Sequence, residues 1–156
     1  MHRKPIEKVC FAASSGGHFE QLMMLRPLME KYEGFVVTEK TGYKVETGFP
    51  TYELAQVNRR EKSFALNMLR NAVSSLRIFL KESPDAVVTT GVLATIPLCL
   101  ICKLAGGRVI YIESFAKINT PTETGRLMYR FADRFYVQWE SMLAVYPNAV
   151  FVGGVY

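Results

Sequence analysis

Five consecutive residues, Ser14, Ser15, Gly16, Gly17 and His18, concentrate the chemical options of this sequence. They break an apolar run and precede apolar residues at helical spacing, which predicts a turn between a strand and a helix. Gly16 and Gly17 permit positive φ and close backbone approach, and the N–H groups opening the next helix point outward with the positive end of its dipole. That combination suits a phosphate or diphosphate, and equally a plain tight turn. It is not GxGxxG, because there is one close pair of glycines and no acidic residue is expected at the end of the second strand. It is not a P-loop, because no GK[ST] follows. His18, in the first helical turn, has the chemistry of a general base or of a neutral donor to an oxyanion. Thr90 and Gly91, in "TTGVLATIP", form a second glycine turn at a strand end. Glu113 and Ser114, in "YIESF", add a carboxylate and a hydroxyl, types that bind sugar hydroxyls or cap the next segment.

These residues need strands and helices to hold them at one edge. "KVCFAA" (Lys8 to Ala13) is a short apolar run ended by turn residues, as expected of a strand buried on both faces. Phe19, Leu22, Met23 and Met29 recur near helical spacing, with a break at Pro27. "FVVT" (Phe35 to Thr38) and "TYELA" (Thr51 to Ala55) predict two further strands. Phe64 to Lys81 predicts a long amphipathic helix whose stripe is Met68, Leu69, Val73, Leu76, Phe79 and Leu80, stopped by "SPD". The second half alternates "AVVTT", the helix "LATIPLCLICKLA", "RVIYIE", the helix "TGRLMYRFA", "RFYVQW" and a short "AVFVGG" strand. Strands alternating with helices imply parallel crossovers, and the expected fold is a single Rossmann-like α/β domain, a three-layer sandwich with a mainly parallel sheet. In such a fold ligands bind beyond the carboxyl ends of the strands, where all three candidate segments fall.

At 156 residues the chain suits one well-cored domain. It is 49% hydrophobic and 21% charged, with a formal charge of +5 that fits an anionic neighbour. The basic residues are scattered and not interleaved with aromatics, which argues against nucleic acid. No signal peptide is visible. Ala86 to Cys102 is uncharged but contains Gly91 and Pro97, so it predicts a buried strand and helix, not a membrane span. Cys10, Cys99 and Cys102 are an odd number, and the only histidines, His2 and His18, are not spaced to complete a zinc site with the CxxC. Buried reduced thiols and a cytoplasmic protein are expected.

"SSGGH", "VVTTG", "YIES", "GRLMYRFADRFYVQW" and "YPNAVFVGG", in this order, resemble the Alg14-like family over almost the whole chain. That family, with bacterial relatives in capsule and exopolysaccharide synthesis, is similar to the N-terminal half of GT-B glycosyltransferases. The resemblance implies a heteromeric glycosyltransferase. An Alg13-like partner would hold the donor, a UDP-sugar being expected for bacterial relatives, and this chain would supply acceptor binding and membrane recruitment. The implied acceptor is a polyprenyl-diphosphate-linked sugar, its diphosphate near Ser14, Ser15, Gly16 and Gly17, with Thr90, Gly91 and Ser114 nearby. His18 is then the candidate catalytic base, Glu113 its competitor, and no metal or other cofactor is expected. Val152, Gly153, Gly154, Val155 and Tyr156 are the implied partner interface. Eukaryotic members begin with a membrane-spanning helix, whereas about seven residues precede the first strand here. The expected location is therefore peripheral, on the inner face of the cell membrane, with Arg59, Arg60, Lys62, Arg70 and Arg77 facing anionic lipid. Two alternatives stay open: the stripe of the long helix is plain core, or the chain is a non-catalytic scaffold for its partner.

Overall fold

The computed structural model describes residues 5–91 and 93–156, so His2 and Val92 lie outside the described residues. Among the described residues, seven strands form one sheet: β1 (Lys8–Ala12), β2 (Glu33–Glu39), β3 (Thr51–Leu54), β4 (Ala86–Thr89), β5 (Arg108–Ile112), β6 (Arg134–Val137) and β7 (Val150–Phe151). Their order is β3-β2-β1-β4-β5-β6-β7, and every pairing is parallel. The chain grows outward from β1 to β3 and then returns to place β4 on the other side of β1. The switch point of the sheet therefore lies between β1 and β4.

Alternation along the central strands divides the core into two layers. Cys10, Phe35, Val87, Val109 and Phe135 face α3 (Phe64–Glu82), α4 (Ile96–Leu104) and α5 (Glu123–Met128), which contribute Ile78, Leu98, Cys99, Cys102 and Met128. Val9, Phe11, Val36, Val88 and Ile112 face the other way, toward Leu22 of α1 (Gly17–Met23) and Met29 of α2 (Arg26–Met29). Helices thus cover both faces, but unevenly: α1 and α2 are short.

Local chemistry accounts for the element ends. Pro27 stands in the first turn of α2 and separates it from α1, where the sequence predicts a break. The helix expected from Leu93 opens as a 3-10 turn, Leu93–Thr95, and becomes α4 with Pro97 in its first turn. Ser83 leaves α3 with φ 46, directly before Pro84. The Thr122 hydroxyl accepts the Gly125 N–H (2.7 Å) and starts α5. That helix is shorter than the sequence predicts, and so is the last strand. β2 is longer by three residues, and the one at its carboxyl end is consequential: Lys40 N–H donates to Leu54 O (2.8 Å), so the pairing with β3 runs through Glu39. An acidic residue does end the second strand, contrary to the expectation from sequence.

Candidate functional site

The carboxyl ends of β1 and β4 are stitched together by Ser14 N–H donating to Gly91 O (3.2 Å). Gly16 turns the chain with φ 74, a conformation other residues adopt at a cost, and α1 begins at the next residue. This sets His18 across the crevice at the switch point, where two hydrogen bonds clamp it to one residue. Its Nδ1 lies 2.8 Å from Thr90 O, and the Thr90 hydroxyl donates to the His18 carbonyl at 2.6 Å. A carbonyl can only accept, so Nδ1 carries the proton, and in the neutral ring Nε2 is left with its lone pair. Gly91 makes this approach possible. Its φ is 107, and a Cβ there would stand 3.3 Å from His18 Nδ1 and 3.5 Å from the Tyr111 hydroxyl.

Glu113, the other candidate base, is fully buried and surrounded by donors. Its Oε1 accepts from Ser114 N–H (2.9 Å), the Thr122 hydroxyl (2.9 Å) and the Tyr111 hydroxyl (3.4 Å). Its Oε2 accepts from the Tyr146 hydroxyl (2.9 Å) and Thr122 N–H (3.3 Å). Gly125 closes the cradle, because a Cβ there would lie 2.0 Å from Oε2. Burial first, and then the nearby Glu113 carboxylate, push the Tyr111 and Tyr146 phenols well up, so both remain donors. Glu113 therefore ties the loop after β5 to α5 and to Tyr146. In this arrangement it has no lone pair aimed at the crevice, which is the physical reason to correct its assignment as a competing base.

The other sequence-predicted binding residues divide in the same way. Gly16 and Gly17 are exposed with open space above them. Ser14, Thr90, Gly91 and Ser114 are buried and engaged internally: Ser14 Oγ donates to Ser15 O (3.3 Å), and Ser114 Oγ accepts Ala116 N–H (3.3 Å). They build the crevice and do not line its mouth. Ser15 is half-buried, with its N–H and hydroxyl both 3.4 Å from Glu39 Oε2. Sequence reasoning missed Glu39, and it missed the pair Gln21 and Gln138. Gln138 Nε2 donates to Gln21 Oε1 (2.8 Å) and to Glu113 O (2.9 Å), while Gln21 Oε1 also accepts Phe115 N–H (3.0 Å). Gln21 follows His18 by three residues on α1, so the network anchors the same helix. Buried glutamines among apolar residues were the available signal. Beside this crevice a cleft of about 520 Å³ is lined by Arg59, Arg60, Lys117 and Thr122.

The C-terminal segment lies along β6. Val155 N–H donates to Gln138 Oε1 (3.0 Å), and Tyr156 sits edge-on to Phe115, with ring centroids 5.1 Å apart. Val152 and Tyr156 are exposed. Next to this segment, on the α1 and α2 side of the sheet, a groove opens above buried core residues. It is apolar, of about 400 Å³, and lined by Phe11, Val88, Ile110, Ile112, Tyr136 and Val155, among others.

The family model described as "Oligosaccharide biosynthesis protein Alg14 like" matches residues 55–155. The chain belongs to the Alg14-like family. A relative from Yarrowia lipolytica, named UDP-N-acetylglucosamine transferase subunit ALG14, is 29% identical over 97% of this chain and 82% of its own length. The mouse protein of the same name is 25% identical over 70% of this chain and 56% of its own. Among solved structures, MurG of Acinetobacter baumannii superposes with a TM-score of 0.68 at 18% identity, over 86% of this chain and 42% of that one. UDP-N-acetylglucosamine 2-epimerase of Rickettsia bellii gives 0.70 at 12% identity, over 97% and 46%. The Alg14-like chain therefore spans less than half of either structure, and what it shares with them is the Rossmann-like half of a GT-B fold. No described helix is long and apolar enough to cross a membrane. Among the described residues no three His, Cys, Asp or Glu side chains are grouped to hold a metal ion.

Proposed function

We propose that this chain is the acceptor-side subunit of a two-component glycosyltransferase in polysaccharide biosynthesis, such as that of capsule or exopolysaccharide. An Alg13-like subunit holds a UDP-sugar, and the acceptor is a sugar carried on a polyprenyl diphosphate at the cytoplasmic face of the membrane. The observation that carries this reading is the His18 clamp at the switch point. With Nδ1 donating to Thr90 O, Nε2 is oriented to take the proton of an acceptor hydroxyl. The hydroxyl oxygen then bonds to the anomeric carbon as the bond to UDP breaks, and UDP leaves with that electron pair. Gly16 and Gly17, with the N–H groups that open α1, are the surface we assign to the acceptor diphosphate, and the Tyr111 hydroxyl and Glu113 keep the crevice in shape. The names of the family relatives, each a transferase subunit, support a transferase role exercised together with another chain. The apolar groove and Val152 to Tyr156 are the surface we assign to that partner.

Transfer from radiolabelled UDP-sugars to a polyprenyl-diphosphate monosaccharide tests the reading, with this chain alone, with the protein encoded beside it alone, and with both. Transfer is expected only with both, and His18→Ala is expected to lower it by about 10² to 10⁴-fold with the complex intact. Full turnover by the His18→Ala complex would make the chain a non-catalytic scaffold. Turnover by this chain alone would show that the donor site has been misplaced.

A further inference from the structure

The long helix α3 carries its apolar stripe on the outside. Leu66, Leu69, Val73, Leu76 and Leu80 recur at alternating spacings of three and four, and they are 51%, 63%, 44%, 46% and 69% exposed. The opposite side, which meets the rest of the protein, presents Asn71, Ser75 and Ile78. The helix is held in this rotation by Asn71, whose side chain pairs with both backbone groups of Ala55 at 2.8 Å. Rolling the stripe inward would break both bonds and bury Arg70 and Arg77. Alongside, α4 adds exposed Leu100 and Leu104 to the same outer layer. Of the stripe expected from sequence, Leu69, Val73, Leu76 and Leu80 are exposed, whereas Met68 is half-buried and Phe79 packs against the core, so the plain-core alternative holds only for that edge of the stripe.

Charge identifies what covers the stripe. Arg70 and Arg77 run parallel to it on one flank, and a shallow groove lined by Leu69, Val73, Arg70 and Arg77 lies between the two rows. Exposed Arg60 and Lys62, with Glu61 between them, precede the helix and Lys81 lies in its last turn, whereas Arg59, expected at the lipid, pairs instead with Glu123. Its single acid, Glu82, is turned inward to Lys8 (2.7 Å) and the Tyr52 hydroxyl. A second copy is poorly matched to this face. Laid antiparallel, two stripes set arginine rows against each other; laid parallel, the arginines meet Ala65, Ala72 and Phe79, which offer no counter-charge. Phosphate headgroups beside acyl chains match both rows at once.

We infer that α3 is an interfacial helix, lying flat on an anionic phospholipid surface with its leucines in the acyl boundary and Arg70 and Arg77 on lipid phosphates. The 19-residue helix lies in the bilayer plane along roughly 28 Å. Its N-terminal end, preceded by Arg60 and Lys62, lies at the carboxyl edge of the sheet, because a crossover helix between parallel strands runs antiparallel to them. This deepens the reading of a lipid-linked acceptor, because the helix would hold the crevice where such an acceptor emerges from the membrane.

The test is co-sedimentation of the full chain with phosphatidylcholine vesicles, with and without phosphatidylglycerol, read without any turnover. Wild type is expected to bind the anionic vesicles and to release as salt rises. Arg70→Gln with Arg77→Gln is expected to weaken binding about 30-fold, and Leu69→Ser with Leu76→Ser at least tenfold. All four sites are exposed, so circular dichroism is expected to be unchanged. A charge-matched control between α2 and β2 and at the start of β6, Lys31→Gln with Arg134→Gln, is expected to bind within about twofold of wild type. Equal losses in the control and the α3 variants would overturn the assignment. So would absence of any preference for anionic vesicles, or a self-association that the leucine variants abolish while vesicle binding stays unchanged. Transfer to a detergent-dispersed acceptor remains a separate readout, so failure of this face and failure of the glycosyltransferase reading give different results.

Discussion

Replacing Glu113 by glutamine separates a base from a buried support. The amide has nearly the same shape, but one acceptor oxygen becomes an NH2 donor. Turned toward the Oε1 side, that group meets Ser114 N–H and the Thr122 hydroxyl; turned toward the Oε2 side, it meets the Tyr146 hydroxyl and Thr122 N–H. Either way a backbone N–H that cannot change its role is left without an acceptor, next to a hydroxyl that must reorient. The Thr122 hydroxyl has little freedom, since it already accepts Gly125 N–H. At about 1–3 kcal/mol for each of these two disturbed donors, the expected loss of stability is about 2–6 kcal/mol. For a domain with about 5–15 kcal/mol in all, that is a large fraction. Urea denaturation followed by far-ultraviolet circular dichroism measures it, and residual transfer by the folded fraction is expected to remain. A Glu113→Gln chain with wild-type stability and abolished transfer would refute the argument and return Glu113 to the chemistry.

Gly91→Ala is expected to displace His18, because the new methyl meets Nδ1 at 3.3 Å on a backbone at φ 107; a stability loss of about 1–3 kcal/mol and a larger loss of transfer would be read from melting curves and turnover. Hydrogen bonds from Lys8, then from Tyr52, hold the Glu82 carboxyl below its ordinary value, while Glu82 and then Glu33 raise Lys8. Glu82 therefore adds stability at neutral pH that fades as pH falls through its lowered folded-state value. Lys8 adds stability that is lost as pH rises through its raised one. Glu82→Gln is expected to cost about 1 kcal/mol at pH 7 and less in acid, as measured by chemical denaturation across pH. Burial raises the Cys10 and Cys99 thiols and pushes Cys102 up to about 11, so the folded chain is expected to leave a thiol reagent unreacted at neutral pH and to react at all three cysteines once unfolded.

The strands were legible because buried parallel strands read as short apolar runs, and the His18 turn was legible because serine and glycine interrupt one of them. The direction of the α3 stripe was not. Periodicity states that one side of a helix is apolar but not which side meets the sheet, and here the Asn71 clasp to Ala55 decides it from 16 residues away. Glu39 escaped notice because the end of β2 depends on the register with β3, a long-range pairing that local composition does not encode. Glu113 was recognised by type and place, yet its role follows from Thr122, Gly125 and Tyr146, which only the folded chain brings to it.

The all-parallel sheet also governs how this chain comes into being. Parallel neighbours cannot be joined by a hairpin, so every strand waits for a crossover before it can pair. β1 is made first and sits centrally, but its partner β4 does not arrive until Ala86, after the whole of α3. Topologies of this kind fold slowly, and throughout the delay the strand edges and the outward leucines of α3 are open to wrong contacts. A nascent chain that meets a membrane surface or a partner early shelters part of that surface while the sheet closes. Yield of soluble protein is thus expected to depend on when a partner is synthesised as well as on whether it is present.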